Sequence, residues 1–96
     1  MLSGKQRRYL RSLGHSLGIT VQLGRGGITE GLLAAVEQAL LDHELIKVKV
    51  AEAAGVERHE AAEQLAAQTK SEVAQVLGNT VLLYRARDED PVIELP

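Results

Sequence analysis

Leu10, Leu13 and Leu17 recur at three- and four-residue spacing, and Gln6 shares their side of a 100° wheel. That is the period of a helix with one buried face. Ser3 stands where an N-cap is wanted, and the stripe predicts a helix to about Leu17 with Tyr9 at its margin. Lys5, Arg7, Arg8, Arg11 and His15 take the opposite side. Gly14 weakens this helix by up to ~1 kcal/mol relative to alanine, and Gly18 reads as its stop. The pattern then switches to period two. Ile19-Thr20-Val21-Gln22-Leu23 alternates apolar and polar residues, as a strand with one buried face does. Beyond the glycine cluster 24–27, Thr29 is placed to cap a second helix, and Glu30 sits in its first turn, where the dipole favours an acid. Leu32, Leu33, Val36, Leu40 and Leu41 carry that helix to about His43.

Leu45-Ile46-Lys47-Val48-Lys49-Val50 is the clearest strand, with Ile46, Val48 and Val50 toward the core and Lys47 and Lys49 on the other face. Ala51 to Val56 reads as a loop around Gly55. Glu57 to about Lys70 reads as a helix whose stripe of Ala62, Leu65 and Ala66 is thin. Val73–Leu77 and Thr80–Arg85 are two strands joined by Gly78-Asn79, a strong hairpin signal. The segment from Asp88 is acidic, then extended between Pro91 and Pro96, and reads as either a short edge strand or a mobile tail.

The order α-β-α-β-α-β-β places the chain in the α/β class, an α+β arrangement of two to three layers. Strand–helix–strand units imply parallel pairing by right-handed crossovers, and the final hairpin adds an antiparallel strand. The expectation is a mixed four-stranded sheet covered by helices: one domain over residues 1–87 and an acidic extended tail over 88–96. Composition agrees, with 45% hydrophobic and 25% charged residues in 96, as in ordinary globular domains. Phe and Trp are absent, so the core is aliphatic. Cys is absent too, which removes disulfides, thiolate nucleophiles and thiolate metal sites. No stretch approaches the ~20 apolar residues of a spanning helix, and no apolar segment follows the basic start as in a secretory signal. A soluble cytoplasmic protein without a membrane partner is expected.

Charge changes the picture more than composition does. Residues 1–29 hold five basic side chains (Lys5, Arg7, Arg8, Arg11, Arg25) and no carboxylate, a net of +5. Residues 30–96 hold six basic and thirteen acidic groups, a net of −7. Such asymmetry suggests a polyanionic partner. The basic block runs into Gly24-Arg25-Gly26-Gly27 at a strand-to-helix junction. Glycine lets another backbone come close. The following helix N-terminus offers N–H groups and a positive dipole end to phosphate, and Arg25 adds a fork suited to phosphate. Gly-x-x-Gly alone is weak evidence, and a tight structural turn is the competing reading. The adjacent arginine, the capped helix and the basic first helix favour phosphate. Lys47 and Lys49 either extend that surface or are plain exposed strand positions. Arg85 and Arg87 read as neutralised by the nearby acids Asp88, Glu89 and Asp90.

Enzymatic readings find little. Gly24-x-Gly26-x-x-Thr29 lacks the third glycine of a dinucleotide fingerprint, and no Gly-Lys-Ser/Thr follows for a P-loop. His15, His43 and His59 are scattered, and His59 with Glu63 at i, i+4 reads as a solvated helix contact. No serine elbow is present. No enzyme, cofactor, metal or small-molecule substrate is expected.

Three blocks in order, Leu23-Gly24-Arg25-Gly26-Gly27-Ile28-Thr29-Glu30-Gly31, His43-Glu44-Leu45-Ile46-Lys47-Val48-Lys49 and Val76-Leu77-Gly78-Asn79-Thr80-Val81-Leu82-Leu83-Tyr84-Arg85, resemble the bacterial YhbY-like proteins. These are stand-alone versions of the CRM domain (chloroplast RNA splicing and ribosome maturation). The opening Leu2–Gln6 and closing Ile93–Pro96 fit the same resemblance; residues 52–72 match no family motif. The resemblance implies a fold similar to the C-terminal domain of bacterial translation initiation factor three. It also implies binding to ribosomal RNA or large-subunit (pre-50S) precursors in ribosome biogenesis. In that family the Gly-x-x-Gly loop is likened to the KH loop that clamps a nucleic-acid backbone. Carried over, the RNA-binding set is Gly24, Arg25, Gly26 and Gly27, with Lys5, Arg7, Arg8, Arg11, Lys47 and Lys49 around it. The alternative, read from charge alone, is a protein-interaction module that docks a basic ribosomal protein through the acidic C-terminal region.

Overall fold

The computed structural model describes residues 1–96. The elements are α1 (Gly4–Gly14), β1 (Val21–Leu23), α2 (Glu30–His43), β2 (Leu45–Val50), a 3-10 turn (Glu52–Ala54), α3 (Arg58–Thr69), β3 (Glu72–Leu77) and β4 (Thr80–Tyr84). The sheet order is β1-β2-β4-β3. β1 and β2 run parallel, and β4 lies antiparallel between β2 and β3. The expected mixed four-stranded sheet is therefore present, with the hairpin's second strand inserted at its centre.

Helix ends follow their caps. Ser3 and Gln6 form a reciprocal capping box, with Ser3 Oγ accepting from Gln6 N–H at 3.1 Å and Gln6 Oε1 accepting from Ser3 N–H at 3.0 Å. Thr29 Oγ1 accepts from Leu32 N–H at 3.1 Å. Glu57 caps α3 by accepting from His59 and Glu60 N–H at 3.0 and 3.2 Å. α1 stops at Gly14 rather than Leu17, and β1 starts only at Val21. Residues 15–20 are a connector, because the chain must climb from the helix layer to the sheet edge.

Two cores flank the sheet. Leu23, Val36, Leu40, Ile46, Val48, Val50, Ala61, Ala62, Leu65, Val81 and Leu83 fill the space under α2 and α3. On the opposite face Leu10 of α1 meets Leu45, Ala74, Leu82 and Tyr84, with Leu2 closing the cluster. The layers are thus two helices, the sheet, then one helix. Directly opposed residues on paired strands share a face, so Lys47 (opposite Leu82) and Lys49 (opposite Thr80) lie on the α1 side. α1 covers only half of that face.

Two features depart from simple expectation. In β3 the register slips between Val73 and Gln75, leaving Ala74 as an extra residue. The tail 88–96 makes no strand pairing yet is docked: Ile93 and Leu95 pack on the α1-side core. The fully buried Glu44 carboxylate accepts from the N–H groups of Arg87, Val92 and Ile93, each at 2.8 Å. Glu44 ends α2 at φ 65, which aims its side chain inward at the tail.

Candidate nucleic-acid interface

The glycine loop is a hydrogen-bonded turn. Gly27 N–H donates to Gly24 O at 2.9 Å, and Ala51 N–H donates to Leu23 O at 2.9 Å, tying the loop root to the end of β2. Only Gly27 has a backbone that demands glycine, at φ +72. A Cβ on Gly24 would meet nothing within 4 Å, and one on Gly26 only Thr29 Cγ2 at 3.6 Å, an ordinary contact. The fold therefore leaves bare backbone at two positions where it could carry side chains. Arg25 and Gly26 are exposed. At the start of α2, Thr29 takes the N–H groups of Leu32 and Leu33. Those of Glu30 and Gly31 have no partner in the helix. A bare turn, a free guanidinium and unfilled helix amides together can hold an anionic oxygen.

The remaining basic residues lie on α1 and on β2. Lys5 and Arg8 are exposed on α1, while Arg7 and Arg11 are half-buried on its flank. Arg7 departs from the two-faced reading of α1, since its Nε donates to Val73 O on β3 at 3.4 Å. Lys47 Nζ donates to Leu17 O at 3.0 Å, fixing the connector after α1. Lys49 is exposed and stands opposite Gln22, two residues before Gly24, so it links the α1-side cations to the loop. Lys47 and Lys49 thus share the α1 face of the sheet, whereas Arg7 reaches β3, the edge strand farthest from β1 and the loop that follows it.

None of these cations is paired. The three ion pairs of the structure are the N-terminal ammonium with Glu72, His59 with Glu57, and Arg85 with Glu37. Arg85 Nη1 lies 3.0 Å from both Glu37 oxygens and donates to Thr69 O at 2.7 Å. Its neutralising partner is on α2, not in the acidic run after it. Arg87 Nη2 donates to Asp90 O at 2.8 Å. His59 Nδ1 is 2.8 Å from Glu57 Oε2, and Glu57 rather than Glu63 is its partner. The His59 backbone N–H and ring, aided by Glu60 N–H, hold the Glu57 carboxyl below its ordinary range. No group of three or more His, Asp or Glu side chains is placed to hold a metal ion, and no helix is long and apolar enough to cross a membrane.

Sequence reasoning missed a second group of residues. Gly14, His15, Gln75, Thr80 and Leu82 line a small depression beside Lys47. A glycine inside a leucine stripe was the available signal. A Cβ on Gly14 would stand 2.9 Å from Leu82 Cδ2, so the glycine serves close helix–sheet approach.

The three-layer α/β domain thus presents a bare glycine turn and cations that form no ion pair. Residues 2–85 match the CRS1 / YhbY (CRM) domain. The chain is 40% identical to the YqeI protein of Bacillus subtilis over the full length of both. It is 43% identical to a Haemophilus influenzae protein over 99% of this chain and 95% of that one. The former is named a probable RNA-binding protein, the latter an RNA-binding protein. The solution structure of a Staphylococcus aureus protein superposes with a TM-score of 0.84, at 43% identity and full coverage of both chains. The chain belongs to the CRS1 / YhbY (CRM) family.

Proposed function

We propose that this protein binds ribosomal RNA, or large-subunit precursors that contain it, as a non-enzymatic assembly factor. Arg25 and the loop amides hold phosphates, and Lys5, Arg7, Arg8, Arg11, Lys47 and Lys49 supply the surrounding field. The observation that carries this reading is the bare backbone at Gly24 and Gly26, where the fold itself has room for a side chain. It is supported by relatives named for RNA binding. With two aromatic residues in the chain, stacking is a minor contributor, and backbone contacts dominate.

The test is fluorescence anisotropy with ribosomal RNA fragments across a salt series. With about four to six phosphates neutralised, log K falls against log salt with a slope near −3 to −4, at ~0.7 per single-strand phosphate. Arg25→Ala lowers the slope by about 0.7 and leaves the melting temperature unchanged, because an exposed loop charge adds little stability. Gly26→Ala also melts like wild type but binds more weakly. Wild-type affinity in both variants would remove the loop from the interface.

One observation favours a second contact. Glu30, Glu52, Glu60 and Glu63 are exposed on the α2/α3 side, a surface suited to a basic ribosomal protein. Co-sedimentation with ribosomal particles that survives nuclease treatment supports that contact; loss on digestion assigns the association to RNA.

A further inference from the structure

We infer that the depression between the end of α1 and the open half of the sheet seats one unstacked base of the bound RNA strand, and that this is where base preference arises. The inference rests on the RNA-binding reading above. The cavity is about 100 Å³, well below the roughly 300–1,000 Å³ of small-molecule sites. It suits one group of an extended ligand rather than a whole metabolite.

Its lining has the chemistry to read a base edge. Gln75 offers an amide N–H donor beside a carbonyl acceptor, Thr80 a hydroxyl, and His15 an imidazole at the rim. Gln75 is there because of the bulge. With Ala74 inserted, both Ala74 and Gln75 turn to the α1 face: Ala74 goes under the helix, and Gln75 stands opposite Leu82 at the open side. Bulges commonly re-aim a side chain in this way. Leu77, 63% exposed and opposite Thr80, provides an apolar wall outside the core. Gly14 and Leu82 meet at the cavity wall, where a Cβ on the glycine would stand 2.9 Å from Leu82 Cδ2.

The surroundings select a polyanion. Lys47 borders the cavity, and Lys49 shares a cross-strand row with Thr80 and Gln22. Glu72 is the only carboxylate in any strand. It lies at the opposite end of the sheet, where it accepts from Leu2 N–H at 3.0 Å. A strand whose phosphates pass from the glycine loop along Gln22 and Lys49 brings its bases over Thr80 and Gln75. Single-stranded RNA is read this way, through splayed bases hydrogen-bonded on their edges and covered by aromatic or histidine rings.

The test is binding of the octamers oligo(A), oligo(C) and oligo(U) at low salt to wild type, Arg25→Ala and the double variant Gln75→Leu/Thr80→Val, with thermal melts of each. The double variant keeps strand-compatible side chains. Wild type is expected to prefer one octamer by about fivefold or more, the low end for a good bidentate contact. The double variant should compress the three affinities to within about twofold at an unchanged salt slope. Arg25→Ala should weaken all three together and keep the preference. Amide signals of Gln75 and Thr80 should shift on titration with the favoured octamer. Equal binding of the three octamers by wild type, or a preference retained in a folded double variant, overturns the base seat while leaving phosphate binding intact. Failure of wild type to bind any octamer or ribosomal fragment overturns the RNA reading and this inference with it.

Discussion

The two faces of the sheet are built from the same aliphatic side chains but organised differently. On one, α2 and α3 cover all four strands, twelve buried residues join in a single cluster, and the exposed rim is acidic. On the other, α1 and the docked tail cover one end of the sheet over six buried residues. The remainder shows Lys47, Lys49, Gln75 and Thr80. α1 and every strand together contain one carboxylate, Glu72, while most of the other acids lie on α2, on α3 and in the tail that docks through Ile93 and Leu95. The sealed face makes the fold stable, and that stability lets the other face leave polar and cationic groups uncovered. The basic first third of the chain thereby supplies α1 and the glycine loop, and the acids other than Glu72 stay outside the helix and strands of that face.

The sharpest way to break this comparison uses two adjacent leucines of β4. Leu83 is fully buried on the α2/α3 side, and Leu82, 2% exposed, lies under Gly14 on the α1 side. Leu83→Ala should cost about 2–5 kcal/mol, as buried leucine truncations do. For a chain of this size that lowers the melting temperature by roughly 10 °C or more. The affinity of the folded fraction for ribosomal RNA should stay at the wild-type value. Leu82→Ala should cost a similar amount and also weaken RNA binding, because it removes the floor of the depression and the surface that positions α1. Equal loss of affinity from both substitutions would mean that the faces are not functionally distinct.

A smaller effect is expected at Glu44, which joins the two regions by holding the tail from the end of α2. Burial pushes its carboxyl up, but the N–H groups of Arg87, Ile93 and Val92, and then the Arg87 charge, outweigh that and hold the pKa below its usual 4.5. A depressed folded pKa stabilises the fold above about pH 4.5. The contribution is lost as pH falls through the folded value. Glu44→Gln turns one accepting oxygen into an NH₂ that faces backbone donors. It should cost about 1–3 kcal/mol at neutral pH, the range for losing bonds to a buried charged acceptor. Melts from pH 3 to 7 should show the wild type losing stability on acidification, and the variant losing less. Identical pH profiles would show that Glu44 does not titrate with folding.

Local periodicity made most of this architecture legible. The two-residue alternation of Leu45–Val50 places Ile46, Val48 and Val50 in the large core and both lysines opposite, as the structure has them. The caps at Ser3 and Thr29 and the Gly78-Asn79 hairpin were readable for the same reason, since each is fixed by residues within a few positions of one another. What escaped depends on long separations. Glu44 meets partners 43 to 49 residues away, so its burial and the docking of an acidic tail left no local trace. Arg7 is held by a strand 66 residues on. The bulge at Ala74 breaks the alternation of β3, but a broken alternation has many causes. Gly14 looked like a weakness in its helix because the neighbour that requires it, Leu82, belongs to the last strand. The glycine loop lies between these cases: its sequence suggested a phosphate site, and the coordinates add that only Gly27 needs glycine for its backbone.

The finest test of the comparison asks whether a single cation on the open face acts differently from one on the sealed side. Lys49 is exposed, forms no ion pair and shares a row with Gln22 and Thr80. Lys70, equally exposed, caps the C-terminal end of α3 at φ 54. Both should be near-neutral for stability, because isolated surface charges contribute little. Lys49→Gln should reduce affinity for ribosomal RNA fragments by a few-fold at low salt. It should also lower the salt slope by about 0.7, the loss of one single-strand phosphate contact. Lys70→Gln should change neither. The slope is the more telling readout, because a substitution that merely disturbed the sheet would weaken binding without altering the number of counterions released. Matching slopes for the two variants would show that the strand does not cross β2, and would confine the interface to the glycine loop and α1.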